Sequence, residues 1–238
     1  MATQMTFKRY ETKYILTISQ KEELLGIMKE HMEADCHGKS DILSLYLDTS
    51  NFLLVRRSIE KPQYTEKLRV RSYGIADADT IIYLELKKKF NSIVYKRREG
   101  MSEKQFEQYL ATKVPCKDTQ IMRELDYAVK RYDNLAPSIL ISYEREAFFG
   151  KKDSEFRMTF DENILWRDYD LSLCSSIYGE PTMAPGKVLL EVKTTGAIPL
   201  WLVSFFSMHN IRPTSFSKYG TAYLAKYNRQ NGGIYTYE

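Results

Sequence analysis

The sequence predicts an α+β fold that is mostly antiparallel β, with the sheet closed into a barrel and helices packed outside it. Three observations carry this. Short blocks rich in Tyr (18 in the chain) and β-branched residues alternate apolar and polar side chains with period two, which marks half-buried strands. Strand blocks outnumber helical ones, and several follow one another at hairpin spacing. Apolar residues make up 43% of the 238, enough for a sizeable core, and no repeat or long linker divides them, so residues 1–238 read as one domain.

The elements follow in order. A first strand covers 7–17. Ser19, with Glu22 three residues on, has the capping-box pattern for a helix running to His31. Strands follow at 42–48, 63–73, 80–89 and 93–101. Gly74 to Asp79 turns between two of them, and Asn91-Ser92 makes a tight hairpin between two others. Ser102 caps a helix over 103–111, with Gln105 completing the box, and 119–132 is helical by spacing. Strands return at 138–149, 155–161, 164–171 and 187–195, with Gly150-Lys151-Lys152-Asp153 as a turn. Pro199 suits the first turn of a helix to Met208, and 217–227 forms a closing helix.

Bulk properties narrow the function classes. The 35 Lys+Arg and 31 Asp+Glu leave a net charge of +4, too small to mark a nucleic-acid binder. Three scattered cysteines (Cys36, Cys116, Cys174) argue against a disulfide scaffold and for a reducing compartment. The longest apolar stretch, from Ile198 to Met208, is too short for a membrane span. The expectation is a soluble, cytoplasmic monomer.

The functional signal is charge repeated on one face of strand after strand. Side chains alternate faces along a strand. By that rule Arg9, Glu11 and Lys13 share a face, as do Lys67, Arg69 and Arg71. So do Glu85 and Lys87, then Lys96 and Arg98, then Glu191 and Lys193. Arg145 and Arg157 continue the series. The opposite faces are apolar: Leu68 and Val70; Ile82, Leu84 and Leu86; Met158 and Phe160; Val188, Leu190 and Val192. A single such strand is an ordinary sheet with one wet side. A whole series dominated by cations is different. If the face turns inward, burying so many like charges without a partner is prohibitive, so the lumen calls for a polyanion or solvent. Phosphate chains suit Arg forks. Glu11, Glu85 and Glu191 are then candidate ligands for Mg²⁺ or Mn²⁺, which take hard oxygen donors.

The strand Arg9-Tyr10-Glu11-Thr12-Lys13-Tyr14 resembles the first-strand signature of the triphosphate tunnel metalloenzymes (CYTH-like). Hydrolases of that group carry Glu-x-Glu-x-Lys; here Arg9 stands for the first Glu. The remaining pieces resemble the polyphosphate-polymerase branch, the catalytic domain of the vacuolar transporter chaperone (VTC) type. They are Tyr46-Leu47-Asp48-Thr49, Lys67-Leu68-Arg69-Val70-Arg71, Leu84-Glu85-Leu86-Lys87, Tyr143-Glu144-Arg145-Glu146-Ala147-Phe148, Phe156-Arg157-Met158-Thr159-Phe160-Asp161, Leu189-Leu190-Glu191-Val192-Lys193 and Ser215-Phe216-Ser217-Lys218-Tyr219. No piece is specific alone; the ordered series is.

The resemblance implies the triphosphate tunnel fold, open at both ends, with a nucleotide entering one end and polyphosphate leaving by the other. Carried over residue by residue, it implies that Lys13, Arg69, Arg71, Lys87, Lys96, Arg145, Arg157 and Lys218 grip phosphates, with Lys96 and Arg98 both open as the fifth-strand cation and Lys96 favoured by spacing. Arg9, Lys67, Arg98, Lys193 and Ser217 line the substrate. Glu191, with Glu11 and Glu85, holds Mn²⁺ or Mg²⁺. Ser215 departs from the pattern, since related eukaryotic domains carry Lys there. The implied partners are ATP, inorganic polyphosphate, and pyrophosphate or orthophosphate, with an inositol phosphate or a membrane protein as further candidates, and no nucleic acid.

The implied reaction transfers the γ-phosphate of ATP to a growing polyphosphate chain. Its acceptor is already ionised, so no general base is required. Indeed none is evident, because His31, His37 and His209 lie off the charged strands, and neither a Walker loop nor a nucleophile triad is present. Hydrolysis by the same tunnel is the alternative, and a non-catalytic polyphosphate or inositol-phosphate binder is a third reading. RNA binding ranks last, because the tyrosines read as strand and core packing.

Overall fold

The computed structural model describes residues 10–91, 93–132 and 134–232. Its strands are β1 (Tyr10–Thr17), β2 (Met32–Asp48), β3 (Tyr64–Tyr73), β4 (Ile81–Phe90), β5 (Ile93–Ser102), β6 (Ala136–Gly150), β7 (Arg157–Arg167), β8 (Glu180–Pro181) and β9 (Lys187–Thr194). The helices are α1 (Ile18–His31), α2 (Leu53–Glu60), α3 (Glu103–Thr112), α4 (Gln120–Arg131), α5 (Leu200–Met208) and α6 (Lys218–Asn231). All nine strands join one antiparallel sheet in the order β1-β9-β7-β6-β2-β3-β4-β5, with β8 paired to β7 beside that path.

The sheet curls into a tunnel. Five strands separate β1 from β4, so a flat sheet would hold them roughly 29 Å apart at the usual strand spacing. Yet Lys87 Nζ on β4 lies 3.4 Å from Glu11 Oε2 on β1. Side chains make this seam; among the described residues no backbone ladder joins β5 to β1. The outer face is covered twice. Phe106 and Tyr109 of α3 and Met122, Leu125 and Val129 of α4 pack on Leu43, Leu45, Val70, Leu84 and Leu86. Leu24 and Met28 of α1 and Leu202, Phe205 and Phe206 of α5 pack on Tyr14, Leu16, Phe160, Leu190 and Val192. These side chains are fully or almost fully buried, and each contributes about 1.5–3 kcal/mol.

The other two helices lie on the opposite face. Val55 of α2 and Tyr219 and Ala222 of α6 pack on Ile42, Tyr46, Ile139, Ile141 and Leu189, which alternate with the outward residues. Thus α1, α3, α4 and α5 sit outside as expected, whereas α2 and α6 fill part of the tunnel face. Asp48 ties them together. Its carboxylate accepts from the Leu54 and Val55 N–H groups (2.9 and 3.0 Å) and from the Tyr219 hydroxyl (2.7 Å).

Several boundaries differ from the sequence expectation. The α1 cap is Thr17, boxed with Gln20, and not Ser19 with Glu22. β2 starts at Met32, well before residue 42. Its early part pairs with the end of β6 through an irregularity between Ala34 and Lys39, and is too exposed there for a core to impose alternation. The expected strands 155–161 and 164–171 are one strand, β7. Asn163 at φ 48° and a register shift between Ser142 and Glu144 reverse its parity, so Phe160 faces α1 and α5 while Ile164 and Trp166 face α6. The N-cap residue of α2, Phe52, makes no side-chain cap; Asp48 and Thr49, three to four residues earlier, accept from the first N–H groups of the helix instead, outside the local capping pattern. The hairpin residue Asn91 has φ 46°, and Ser92 lies outside the described residues. Gly150 makes the turn into β7, where a Cβ would stand 2.6 Å from the Asp153 carbonyl oxygen. Among the described residues no helix is long and apolar enough to cross a membrane.

Candidate functional site

Ladder register fixes which side chains share the inner face, because directly opposed residues project the same way. Lys13 opposes Glu191, and Glu11 opposes Lys193. Arg145 opposes Asp161. Arg69 opposes Glu85, and Lys67 opposes Lys87. Glu85 and Lys87 oppose Arg98 and Lys96.

Two clusters result. In the first, Glu191 is ringed by Arg145 Nη2 and Lys218 Nζ (both 3.2 Å), Lys193 Nζ (3.4 Å) and Lys13 Nζ (3.5 Å). Asp161 accepts two bonds from Arg145 (2.6 and 2.7 Å) and meets Lys218 Nζ at 2.5 Å. Burial pushes both carboxyls up, but Lys218 and the other cations outweigh it and hold them below the usual range. In the second cluster Glu85 meets Arg69 (2.8 Å), Lys96 (2.8 Å) and Arg98 (3.5 Å). Its carboxyl is likewise held low, Arg69, Arg71 and Lys96 overcoming burial. Burial, helped by Arg69 and Arg71, draws Lys96 down to about 8 against the pull of Glu85.

The clusters meet at the start of α6. Ser217 caps that helix by accepting from the Gly220 N–H. Lys67 Nζ donates to Ser217 Oγ (3.2 Å), and Lys13 Nζ donates to the Phe216 carbonyl (3.1 Å). Burial first, then Lys13, Lys87 and Arg69, push Lys67 down to about 7. Burial would raise Glu11, yet Lys87, Lys13 and Lys193 bring it down to about 2. The Tyr143 hydroxyl accepts from Arg71 Nη2 (3.3 Å), and its pKa is lowered because Arg71, Arg145 and Lys218 outweigh burial.

Lys13, Lys67, Arg69, Arg71, Lys87, Lys96, Arg98, Arg145, Lys193 and Lys218 thus share one interior with Glu11, Glu85, Asp161 and Glu191: ten cations against four carboxylates. Ser217 is present as expected, and both fifth-strand candidates, Lys96 and Arg98, face inward. Arg157 is the exception. It shares the register of Lys193, but it is exposed, and its Nε donates to the Ser154 carbonyl (3.3 Å) at the rim. Arg9 lies outside the described residues.

The three expected metal ligands do not converge; among the described residues no group of three or more His, Cys, Asp or Glu side chains is arranged to hold a metal. Glu85 pairs with Arg69, Lys96 and Arg98 on β3 and β5, as Glu191 pairs with Arg145, Lys218, Lys193 and Lys13, and no cation partner is common to the two. Glu11 and Glu191 both lie against Lys13 Nζ, at 3.6 and 3.5 Å. A pair of carboxylates is the kind of donor set a Mg²⁺-like ion takes, completing its shell with water and other oxygens.

Sequence reasoning missed Asp161 and Tyr143 as members of the site. The signal existed: Asp161 has the parity of Arg157 and Thr159, and Tyr143 that of Arg145. The histidines stand apart as expected, His31 stacked on Trp201 (4.7 Å) and His209 beside Glu23 (3.0 Å); the His37 side chain lies outside the described residues. The cysteines are free.

Known proteins align with this picture. The profile of the VTC domain family matches residues 8–227. A search of curated proteins finds no match. Among solved structures, an adenylyl cyclase candidate from Hippeastrum, described as having a dominant triphosphatase activity, superposes with TM-score 0.56 at 15% identity, over 90% of this chain and 95% of that one. An adenylate cyclase candidate from Bacillus halodurans gives 0.48 at 12% identity over 99% and 96%, and a protein from Pyrococcus horikoshii 0.46 at 11% over 91% and 99%. The profile spans nearly the whole sequence, and the Hippeastrum likeness covers 90% of it: the chain belongs to the VTC domain family and has the triphosphate tunnel fold.

Proposed function

We propose that this chain is a metal-dependent polyphosphate polymerase, transferring the γ-phosphate of ATP to a growing inorganic polyphosphate chain inside the tunnel. The observation that carries the reading is the excess of cations over carboxylates in one enclosed interior. Such an excess is costly until an extended polyanion takes up the unpaired charge. Membership of the VTC family points the same way.

In this reading a terminal oxygen of the polyphosphate chain forms a bond to the γ-phosphorus as the bond to the β-phosphate oxygen breaks, and ADP leaves. Arg69, Arg71, Arg145, Lys13, Lys87, Lys96 and Lys218 grip the phosphates and align donor with acceptor. Lys67, Arg98, Lys193 and Ser217 line their path, and Arg157 acts from the rim. The transfer needs alignment and charge neutralisation more than covalent chemistry. Glu191 and Glu11 would hold Mn²⁺ or Mg²⁺, which would supply further neutralisation of the phosphate oxygens.

Transfer asks less of the tunnel residues than hydrolysis, which must activate a water with a base or a metal. A terminal phosphate needs no such base. The Hippeastrum protein's triphosphatase activity supports hydrolysis as the second reading. Incubation with ATP and Mn²⁺ separates them. Long phosphate chains with ADP are expected; orthophosphate without chains would replace the polymerase by a hydrolase. Tight polyphosphate binding with no turnover would leave a binding module.

A further inference from the structure

The charged interior ends in an aromatic mouth. Arg71 on β3 opposes Tyr83 on β4, and Tyr83 opposes Gly100 on β5. Tyr73, two residues beyond Arg71, has the same parity. The guanidinium of Arg98 lies 3.5 Å from the Tyr83 ring centroid and 5.5 Å from that of Tyr73, and its Nη2 donates to the Tyr73 hydroxyl (3.2 Å). The two rings meet edge to face, 5.9 Å apart at 80°. Gly100 leaves room for this stack, because a Cβ there would come within 3.3 Å of Tyr83 Cε1. Tyr73 is therefore fixed by its hydroxyl, yet it is 49% exposed, and Ile81 beside it is 55% exposed.

A buried donor stands at the junction of this mouth with the lumen. Arg71 Nε has no hydrogen-bond partner, although Arg71 is only 7% exposed, and Arg98 Nε meets Glu85 Oε1 at 3.5 Å without forming a hydrogen bond. A buried unsatisfied guanidinium N–H is costly and awaits an acceptor. Oriented aromatic and apolar surface outside, with the unpartnered Arg71 Nε just inside, matches a ligand that is planar and apolar at one end and anionic at the other.

We infer that Tyr73, Tyr83 and Arg98 form the nucleoside subsite of a nucleoside triphosphate, with the base stacked on the open face of Tyr73 and the phosphates running inward past Arg71. The inference rests on the tunnel reading above and names the end by which the nucleotide is held. Stacking on an aromatic ring is tolerant of base identity, so it selects nucleotide over inorganic phosphate and does not select one base over another.

The test is calorimetric titration of the protein, in the presence of Mn²⁺, with ATP and separately with inorganic tripolyphosphate. Tyr73→Ala should weaken ATP about tenfold and leave tripolyphosphate unchanged, whereas Tyr73→Phe should keep ATP within about twofold. Melting curves establish that both variants are folded. Equal weakening of both ligands, or ATP binding indifferent to Tyr73→Ala, would overturn the subsite and leave the tunnel reading standing. Failure of tripolyphosphate to bind the unsubstituted protein would remove the tunnel reading, and the subsite with it.

Discussion

Asp161 and Arg145 stand opposite each other across the β6–β7 ladder and are joined by two hydrogen bonds, 2.6 and 2.7 Å long, with the carboxylate sealed from solvent. Lys218, from the first turn of α6, completes the group at 2.5 Å. One buried carboxylate therefore holds two of the proposed phosphate-gripping cations, and it brings α6 to the sheet.

Removing that carboxylate leaves Arg145 and Lys218 short of a partner. Asp161→Asn should destabilise the protein by about 3–5 kcal/mol, the usual cost of breaking a buried pair from one side. Added tripolyphosphate should recover more of the loss than it adds to the unsubstituted protein, since phosphate supplies the missing negative charge. Denaturant unfolding with and without the anion measures both. An identical increment in the two proteins would place the anion away from Arg145 and Lys218.

Glu191 touches four cations and shares one of them, Lys13, with Glu11; its proposed role is to hold the metal and not to organise phosphate binding. Glu191→Gln should abolish turnover of ATP with Mn²⁺ and leave tripolyphosphate affinity within a few fold. Turnover at the original rate would remove Glu191 as a ligand. A parallel collapse of anion binding would show that it orders the cations instead.

Asp48 serves α2 and α6 together. Asp48→Ala strands the Leu54 and Val55 N–H groups and the Tyr219 hydroxyl, and should cost roughly 3 kcal/mol. Tyr219→Phe removes one of these bonds and should cost about 1 kcal/mol. Unfolding midpoints read both. Equal losses would mean that the capping of α2 contributes nothing.

What the sequence made legible follows from the range of each signal. Lys67, Arg69 and Arg71 declare a common face because strand alternation is local geometry, and nothing along β3 disturbs it. Asp161 was harder to find. Asn163 reverses the parity of β7 just beyond it, so the residues after the bulge do not continue its face. A closing helix over 217–227 was legible, yet nothing local says which side of the sheet a helix takes. That is decided by Tyr219, Ala222 and Phe216 meeting Ile139 and Leu189, far away in sequence. Glu11, Glu85 and Glu191 looked alike as carboxylates on cationic strands. Strand order tells them apart: Glu11 and Glu191 stand on the paired strands β1 and β9, and Glu85 on β4.

The depressed Lys67 amine gives substrate binding a pH dependence of definite sign. In the free protein Lys67 titrates near 7, because burial and the charges of Lys13, Lys87 and Arg69 disfavour its proton. Below that pH it is charged and adds to the pull on phosphate; above it the amine is neutral. A bound polyanion favours the charged form and raises the pKa, so binding near pH 7 should take up protons. Tripolyphosphate affinity should then fall between pH 6 and pH 8, beyond any change in the ligand's own ionisation. Lys96, drawn down to about 8, extends the fall somewhat higher. Calorimetry in buffers of different ionisation enthalpy measures the proton uptake. Lys67→Met should abolish the uptake near pH 7 and reduce affinity mainly on the acid side, where the lysine was charged. An unchanged uptake in Lys67→Met would assign the titration to another group and leave Lys67 as no more than a donor to Ser217 at the α6 cap.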